Sequence, residues 1–380
     1  MDILIRLDSL AAPRTGIGYY TEHLTRALLD MPEVNVSGIF GRRLISQREA
    51  LRELLAEPSE SVAGGSARIL GKIRPWVRAV PGVYPLRKWV CDKQATRSAE
   101  SIGGMALYHE PNFIPFPFSG QTVLTVHDLS HLRYPQFHPA ERVRFLNRYL
   151  PSAIERASAI ITVSRFTADE VVRFFPDAAG KVVPVHLGVE GSLVMQDEPQ
   201  AIGTLNQYGL PYKGYLLSVA TMEPRKNLAG LVRAYWRLPA SLQERWPLVL
   251  VGGGGWKNGE LTSLLAENSG AGTVRVLGRV PRGHLAGLLS GARLFAYPSF
   301  YEGFGLPIAE ARACGTPVLT TNYGAMAEVA GDQAALVNPD ELADGLKKAL
   351  CDMPETVEPF RYSWQDTARE TVNVYSQVLG

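Results

Sequence analysis

Residues 294–310 read LFAYPSFYEGFGLPIAE, and the fold follows from how that stretch is punctuated. The apolar run 294–297 is a short strand that ends at Pro298 and Ser299. Gly303 and Gly305 then make a tight loop, and Pro307 suits the first turn of a helix. An apolar strand feeding a helix is the repeating unit of a parallel α/β sheet. In open sheets of this kind ligands bind beyond the carboxyl ends of the strands, where this loop lies. Glu302 is expected on the loop and Glu310 on the first helical turn, so two carboxylates face one cleft. Each accepts two hydrogen bonds, which suits neighbouring hydroxyls of a sugar or ribose. The loop residues Gly303, Phe304, Gly305 and Leu306 let backbone amides approach such a ligand. The plainer reading has Glu302 as a solvated loop acid and Glu310 as a favourable charge near a helix N-terminus.

Working outward, the same unit recurs. Apolar runs at 215–220, 247–252, 274–277 and 317–320 flank the quoted strand in the second half, each followed by a helical pattern. Runs at 2–7, 34–40, 121–126, 159–163 and 181–185 alternate with helical patterns at 19–30, 140–157 and 166–175 in the first half. Residues 187–213 hold Gly, Pro and polar residues without clear periodicity. At 380 residues the chain exceeds what one hydrophobic core serves. The reading is α/β, with two doubly wound Rossmann-like domains: 1–187, a linker at 188–213, and 214–360. A final helix at 361–380 either caps the second domain or crosses back to the first.

Three more strand ends carry chemistry. Residues 223–227 read EPRKN, after the 215–220 strand and before a helix. Arg225 supplies a planar fork of donors and Lys226 a compact charge, a pairing suited to a diphosphate; Asn227 is a good N-cap. Residues 14–19 read RTGIGY, a shortened glycine loop in which Gly16 and Gly18 offer backbone amides, or simply a tight turn. His127 and Asp128 follow the 121–126 strand. Asp128 either orients His127 or faces a different part of a ligand, and a satisfied core histidine is the plain alternative. His109, after a strand expected at 105–108, is a weaker candidate for an acceptor side.

A net charge of +2 and 20% charged residues exclude an electrostatic nucleic-acid binder and a disordered chain. Cys91, Cys314 and Cys351 have no metal-ligand spacing, and reduced thiols fit a cytoplasmic protein. No apolar run reaches the roughly 20 residues of a membrane span, so any membrane contact is expected to be peripheral. Arg68–Arg97 holds eight basic side chains, Trp76, Tyr84 and Trp89 against the single acid Asp92. It reads as a dock for anionic lipid at the inner face of the cytoplasmic membrane, or as an ordinary solvated surface.

Together these motifs resemble the retaining GT-B glycosyltransferases of family 4 (group 1), in particular mannosyl- and rhamnosyltransferases. The resemblance spans the chain and is most specific at Glu302-x7-Glu310 and at EPRKN. Residues 328–332 and 336–339 look like a further recurring segment, although Ala325, Met326 and Ala327 stand where the family often has Ser-Leu-Pro. The resemblance implies transfer of a hexose from a nucleotide-diphosphate sugar, GDP-linked by preference and UDP-linked otherwise, to a glycan or lipid-linked glycan of a surface polysaccharide. It assigns Arg225 and Lys226 to the diphosphate, Glu310 to the ribose and Glu302 to sugar hydroxyls. His127 would meet the sugar from the first domain, and Gly16 and Gly18 the phosphates. No bound cofactor and no metal are implied, in keeping with the lack of an Asp-x-Asp motif. An NAD-dependent oxidoreductase, a GT-B epimerase or phosphorylase and a non-catalytic nucleotide-binding scaffold are the competing readings.

Overall fold

The computed structural model describes residues 1–11, 16–56, 92–97, 107–255, 259–267 and 274–380. Arg14 and most of the Arg68–Arg97 stretch lie outside them. Two sheets organise the chain, as the alternating pattern predicts. The first runs β3-β2-β1-β4-β5-β6-β7, with β1 Asp2–Arg6, β2 Asn35–Phe40, β3 Arg43–Ile45, β4 Leu107–Glu110, β5 Gln121–Val126, β6 Ala159–Thr162 and β7 Val182–Pro184. The second runs β10-β9-β8-β11-β12-β13, with β8 Leu216–Val219, β9 Leu248–Val251, β10 Val274–Gly278, β11 Leu294–Tyr297, β12 Val318–Thr321 and β13 Ala335–Val337. Among the described residues every strand pairing is parallel except β2 with β3. Helices cover these parallel strands, so β4, β6, β9, β11 and β12 are buried along their whole length.

Both sheets reverse direction once, between β1 and β4 and between β8 and β11. Crevices at such reversals are where doubly wound sheets bind ligands. EPRKN follows β8 and the Glu302 loop follows β11, so they meet at the second reversal; His127 follows β5 in the first sheet.

Several local expectations change. The stretch expected as an aperiodic linker carries the helix Glu198–Tyr208, started by an Asp197/Gln200 capping box and stopped at Gly209 in the left-handed region. Gly16 and Gly18 stand in the opening turn of the helix Gly16–Leu29 instead of in a loop. β4 runs two residues past its expected end, to Glu110, which carries His109 inside the sheet.

That shift decides what His109 does. Its ring is fully buried, with Nδ1 2.6 Å from the Tyr375 hydroxyl and Nε2 2.7 Å from Thr125 Oγ1. It therefore has no acceptor side to line. Tyr375 belongs to the terminal helix Trp364–Leu379, which packs on the Gly16–Leu29 helix of the first domain. The crossing is tight: a Cβ on Gly188 would lie 2.4 Å from the Trp364 amide nitrogen.

Burial holds the His109 pKa down, from 6.5 to about 3, with the nearby His127 adding to the effect. The unfolded chain thus takes up a proton below about pH 6.5 that the folded chain refuses until about pH 3, and stability falls as pH drops through that window. We expect His109→Gln to lose less stability than wild type between pH 7.5 and 5, read from urea midpoints; equal losses would contradict this assignment.

Candidate active site

The second-domain half of the site is a compact charge cluster. EPRKN forms a single 3-10 turn, Pro224–Lys226, and Asn227 takes a left-handed conformation before the helix Leu228–Trp236. Asn227 does not cap that helix with its side chain. Instead its amide folds over Gly230, where an added Cβ would lie 2.2 Å from Asn227 Oδ1. The turn aims both cations at Glu302. Arg225 Nη1 donates to Glu302 Oε2 at 3.0 Å and to the Tyr301 carbonyl at 2.8 Å, while Nη2 donates to Glu223 Oε1 at 3.0 Å. Lys226 Nζ donates to Glu302 Oε1 at 2.6 Å and to the Tyr297 hydroxyl at 2.9 Å, and that hydroxyl donates to Glu302 Oε1 at 3.1 Å.

Glu302 is 7% exposed, so the solvated-acid reading fails. Burial alone would raise its pKa, but Arg225 and Lys226 outweigh burial and hold it below the usual range. Burial also lowers the Lys226 pKa, against the pull of Glu302. The two carboxylates of the motif are held separately. Glu310 lies on the second turn of the helix Leu306–Ala313, not the first, and accepts from Arg282 Nη2 at 2.7 Å. Its pKa is raised by burial, which Arg282 only partly offsets.

Arg282 was not singled out in the sequence, although it follows β10 at a strand's carboxyl end. It also donates from Nε to Glu190 Oε2 at 2.8 Å and lies 5.1 Å above the Tyr19 ring of the first domain. Arg282 thus ties the ribose candidate Glu310 to the other half of the cleft.

On the first-domain side, His127 Nε2 donates to the Pro111 carbonyl at 2.8 Å. In the neutral ring this leaves Nδ1 as an acceptor. Tyr20 meets the ring edge-on at 4.8 Å between centroids, and its hydroxyl lies 3.0 Å from Thr125 Oγ1, which also bonds His109. A buried chain Tyr375–His109–Thr125–Tyr20 therefore fixes the His127 ring. Burial lowers the His127 pKa, with the Pro111 carbonyl and Asp128 pulling the other way, so the ring is neutral near pH 7. Asp128 does not orient it by hydrogen bonding: Oδ1 accepts from the Ser130 amide at 3.0 Å and the Ser130 hydroxyl at 2.6 Å. Burial opposes its ionisation, but Arg225 and Ser130 hold its pKa well below the usual range.

The halves meet at the glycine loop. Ser164 Oγ and Thr167 Oγ1, at the start of the helix Arg165–Phe174, donate to the Gly303 carbonyl at 2.6 and 2.9 Å. A Cβ on Gly303 would lie 1.7 Å from the His127 carbonyl oxygen. Gly305 has φ +97°, a conformation side chains disfavour, and Leu306 opens the following helix. Phe304 packs between His186 and Tyr362, so its ring serves the domain junction. Glu328 adds a clasp: Oε1 and Oε2 accept from the Arg165 and Phe166 amides at 2.9 and 3.0 Å, and His186 Nε2 lies 2.6 Å from Oε1. Among the described residues, no group of three or more His, Cys, Asp or Glu could hold a metal ion, and no helix is long and apolar enough to cross a membrane.

With this geometry in hand, comparison with known proteins identifies the family. Residues 207–370 match the model "Glycosyl transferases group 1", and residues 104–192 match "Glycosyltransferase Family 4". The O-antigen chain mannosyltransferase B of Escherichia coli is 32% identical over 391 aligned positions, covering 99% of each chain. Among solved structures, a sucrose-phosphate synthase from Thermosynechococcus elongatus superposes with a TM-score of 0.71 at 19% identity, covering 100% of this chain and 99% of the other. Anabaena HepE, solved with UDP-glucose, gives 0.65 at 17% identity, covering 100% and 98%. The chain belongs to the group 1, family 4 glycosyltransferases, and its two facing sheets are the GT-B architecture of that family.

Proposed function

We propose that the enzyme transfers a mannosyl unit, with retention of anomeric configuration, from GDP-mannose to a growing surface polysaccharide carried on a lipid. The Glu302–Arg225–Lys226 cluster carries the reading. A diphosphate brings two negative charges that compete with Glu302 for the same two cations. Its arrival releases the Glu302 oxygens to accept hydroxyls of the transferred sugar. Neutral His127 would take a sugar hydroxyl on Nδ1 from the opposite domain. Glu310 would accept from the ribose, and the amides of the 303–306 loop and of Gly16 and Gly18 would line the phosphates. The name of the 32%-identical Escherichia coli relative supports mannose and an O-antigen-type acceptor.

In the proposed step the C1–O bond to the diphosphate breaks, and the acceptor oxygen bonds C1 on the same face. The acceptor's proton passes to the departing diphosphate oxygen. The transition state resembles an oxocarbenium ion. Arg225 and Lys226 stabilise the charge developing on the leaving group, so turnover is expected to persist in EDTA. Asp128, ionised beside Arg225, helps keep that guanidinium aimed at the cleft. The enzyme is placed by this reading at the inner face of the cytoplasmic membrane, with the Arg68–Arg97 stretch on anionic headgroups.

A thermal-shift panel of GDP, UDP, ADP, dTDP and NAD, with and without Mg²⁺, tests the donor. GDP at about 100 times its Kd should stabilise by roughly 2.7 kcal/mol, without metal. A selective response to UDP would move the donor class, as the UDP-glucose complex of HepE makes reasonable. A response to NAD alone would overturn the reading.

A further inference from the structure

Beside the EPRKN turn lies a hollow of about 200 Å³ that both domains build. Phe137, from the first domain, and Phe300, from the loop after β11, form one wall; Glu223, Asn227, Arg233 and Glu260 supply the polar groups. The two rings stack with centroids 5.9 Å apart and planes 17° apart, and both are half-buried. Ring surface turned to the hollow has the negative quadrupole that attracts the slightly positive C–H face of a pyranose. Glu223 is 6% exposed and uses Oε1 on Arg225, which leaves Oε2 to a hydroxyl. The Asn227 amide offers a donor and an acceptor. At the rim, Arg233 Nη1 pairs with Glu260 Oε1 at 2.7 Å.

The charges select the ligand. Glu223 and Glu260 oppose a phosphate here, and Arg225 and Arg233 offset them toward a neutral guest. The volume fits a single ring better than a nucleotide. Position fixes which ring: Glu223 connects through Arg225 to Glu302, so the hollow opens beside the donor cluster and is not the reacting point itself.

We propose that the hollow is an acceptor subsite holding a neutral pyranose of the glycan chain, one ring behind the ring that receives the new sugar. The assignment rests on the glycosyl-transfer reading and adds to it the requirement for an oligosaccharide acceptor. Phe137 and Phe300 supply the stacking face, Glu223 and Asn227 read hydroxyls, and Arg233 with Glu260 closes the rim.

The test is equilibrium binding of fluorescently tagged α-mannotetraose and of a tagged single mannose to the GDP-saturated enzyme, by anisotropy. Phe137→Leu keeps an apolar side chain but removes the ring, and should weaken tetraose binding about tenfold. Phe137→Tyr should retain it, and the single mannose should not distinguish the variants. Arg233→Ala, a change at an exposed position, should weaken the tetraose as well and gives a second reading if Phe137→Leu folds poorly. Equal tetraose affinity in wild type, Phe137→Leu and Arg233→Ala would overturn the subsite, as would no tetraose binding by wild type. Failure of wild type to consume GDP-mannose would instead sink the mannosyl-transfer reading and leave the binding comparison standing.

Discussion

Arg225→Ala lowers kcat/KM by about 10²–10³-fold, the range expected when a preorganised donor to developing charge is removed. The guanidinium's planar fork donates to Glu302, to Glu223 and to the Tyr301 carbonyl at once, a geometry that the compact ammonium of Lys226 does not reproduce. Its loss also leaves Glu223, Glu302 and Asp128 without the cation that faces all three. Burial would then act on Glu302 without the larger of its two cationic counterweights, and the Glu302 pKa must rise. The acid limb of the rate–pH profile should therefore move to higher pH in Arg225→Ala. Arg225→Lys restores charge without the fork and should recover only part of the rate. Turnover within about threefold of wild type, with an unmoved acid limb, would remove Arg225 from the chemistry.

Gly303→Ala costs at least about 100-fold in kcat, because misplacement of about 1 Å at a reacting centre has that effect. The added methyl would sit 1.7 Å from the His127 carbonyl oxygen and 3.0 Å from Asp128 Cβ. The first of these is backbone, which cannot swing aside. The domains must part, and parting strains the Ser164 and Thr167 bonds to the Gly303 carbonyl. The added methyl touches no strand pairing in either sheet, so Tm should change far less than kcat. Gly180→Ala, with open space at its Cβ, is the matched control. A Gly303→Ala enzyme of wild-type activity would mean that the contact between the loop and His127 is not part of the working state.

The parts of the fold visible in the sequence were those written in local patterns. Apolar strands with glycine or charge at their ends announced β5, β8 and β11, and the most specific site candidates followed directly. Elements shorter or more polar than the pattern were lost or cut short. β3 spans three residues, and β4 ends in His109 and Glu110, whose polarity reads as a loop. His109 is tolerated in the sheet because Tyr375, 266 residues away, satisfies it, and no local signal records that partner. The Glu198–Tyr208 helix did leave a legible mark, Asp197 and Gln200 at capping-box spacing. The Glu190–Arg282–Glu310 chain and the Glu328 clasp on the Arg165–Phe174 helix left none, since each joins residues remote in sequence. Arg282 alone could have been found, by applying the strand-end rule to β10.

Proton NMR of GDP-mannose consumption in the presence of α-mannotetraose tests the central claim most directly. The account predicts a new α-mannosyl anomeric signal growing as the donor signal falls, in EDTA, with both changes suppressed in Arg225→Ala. A β-anomeric product, or consumption that survives the loss of Arg225, would contradict it.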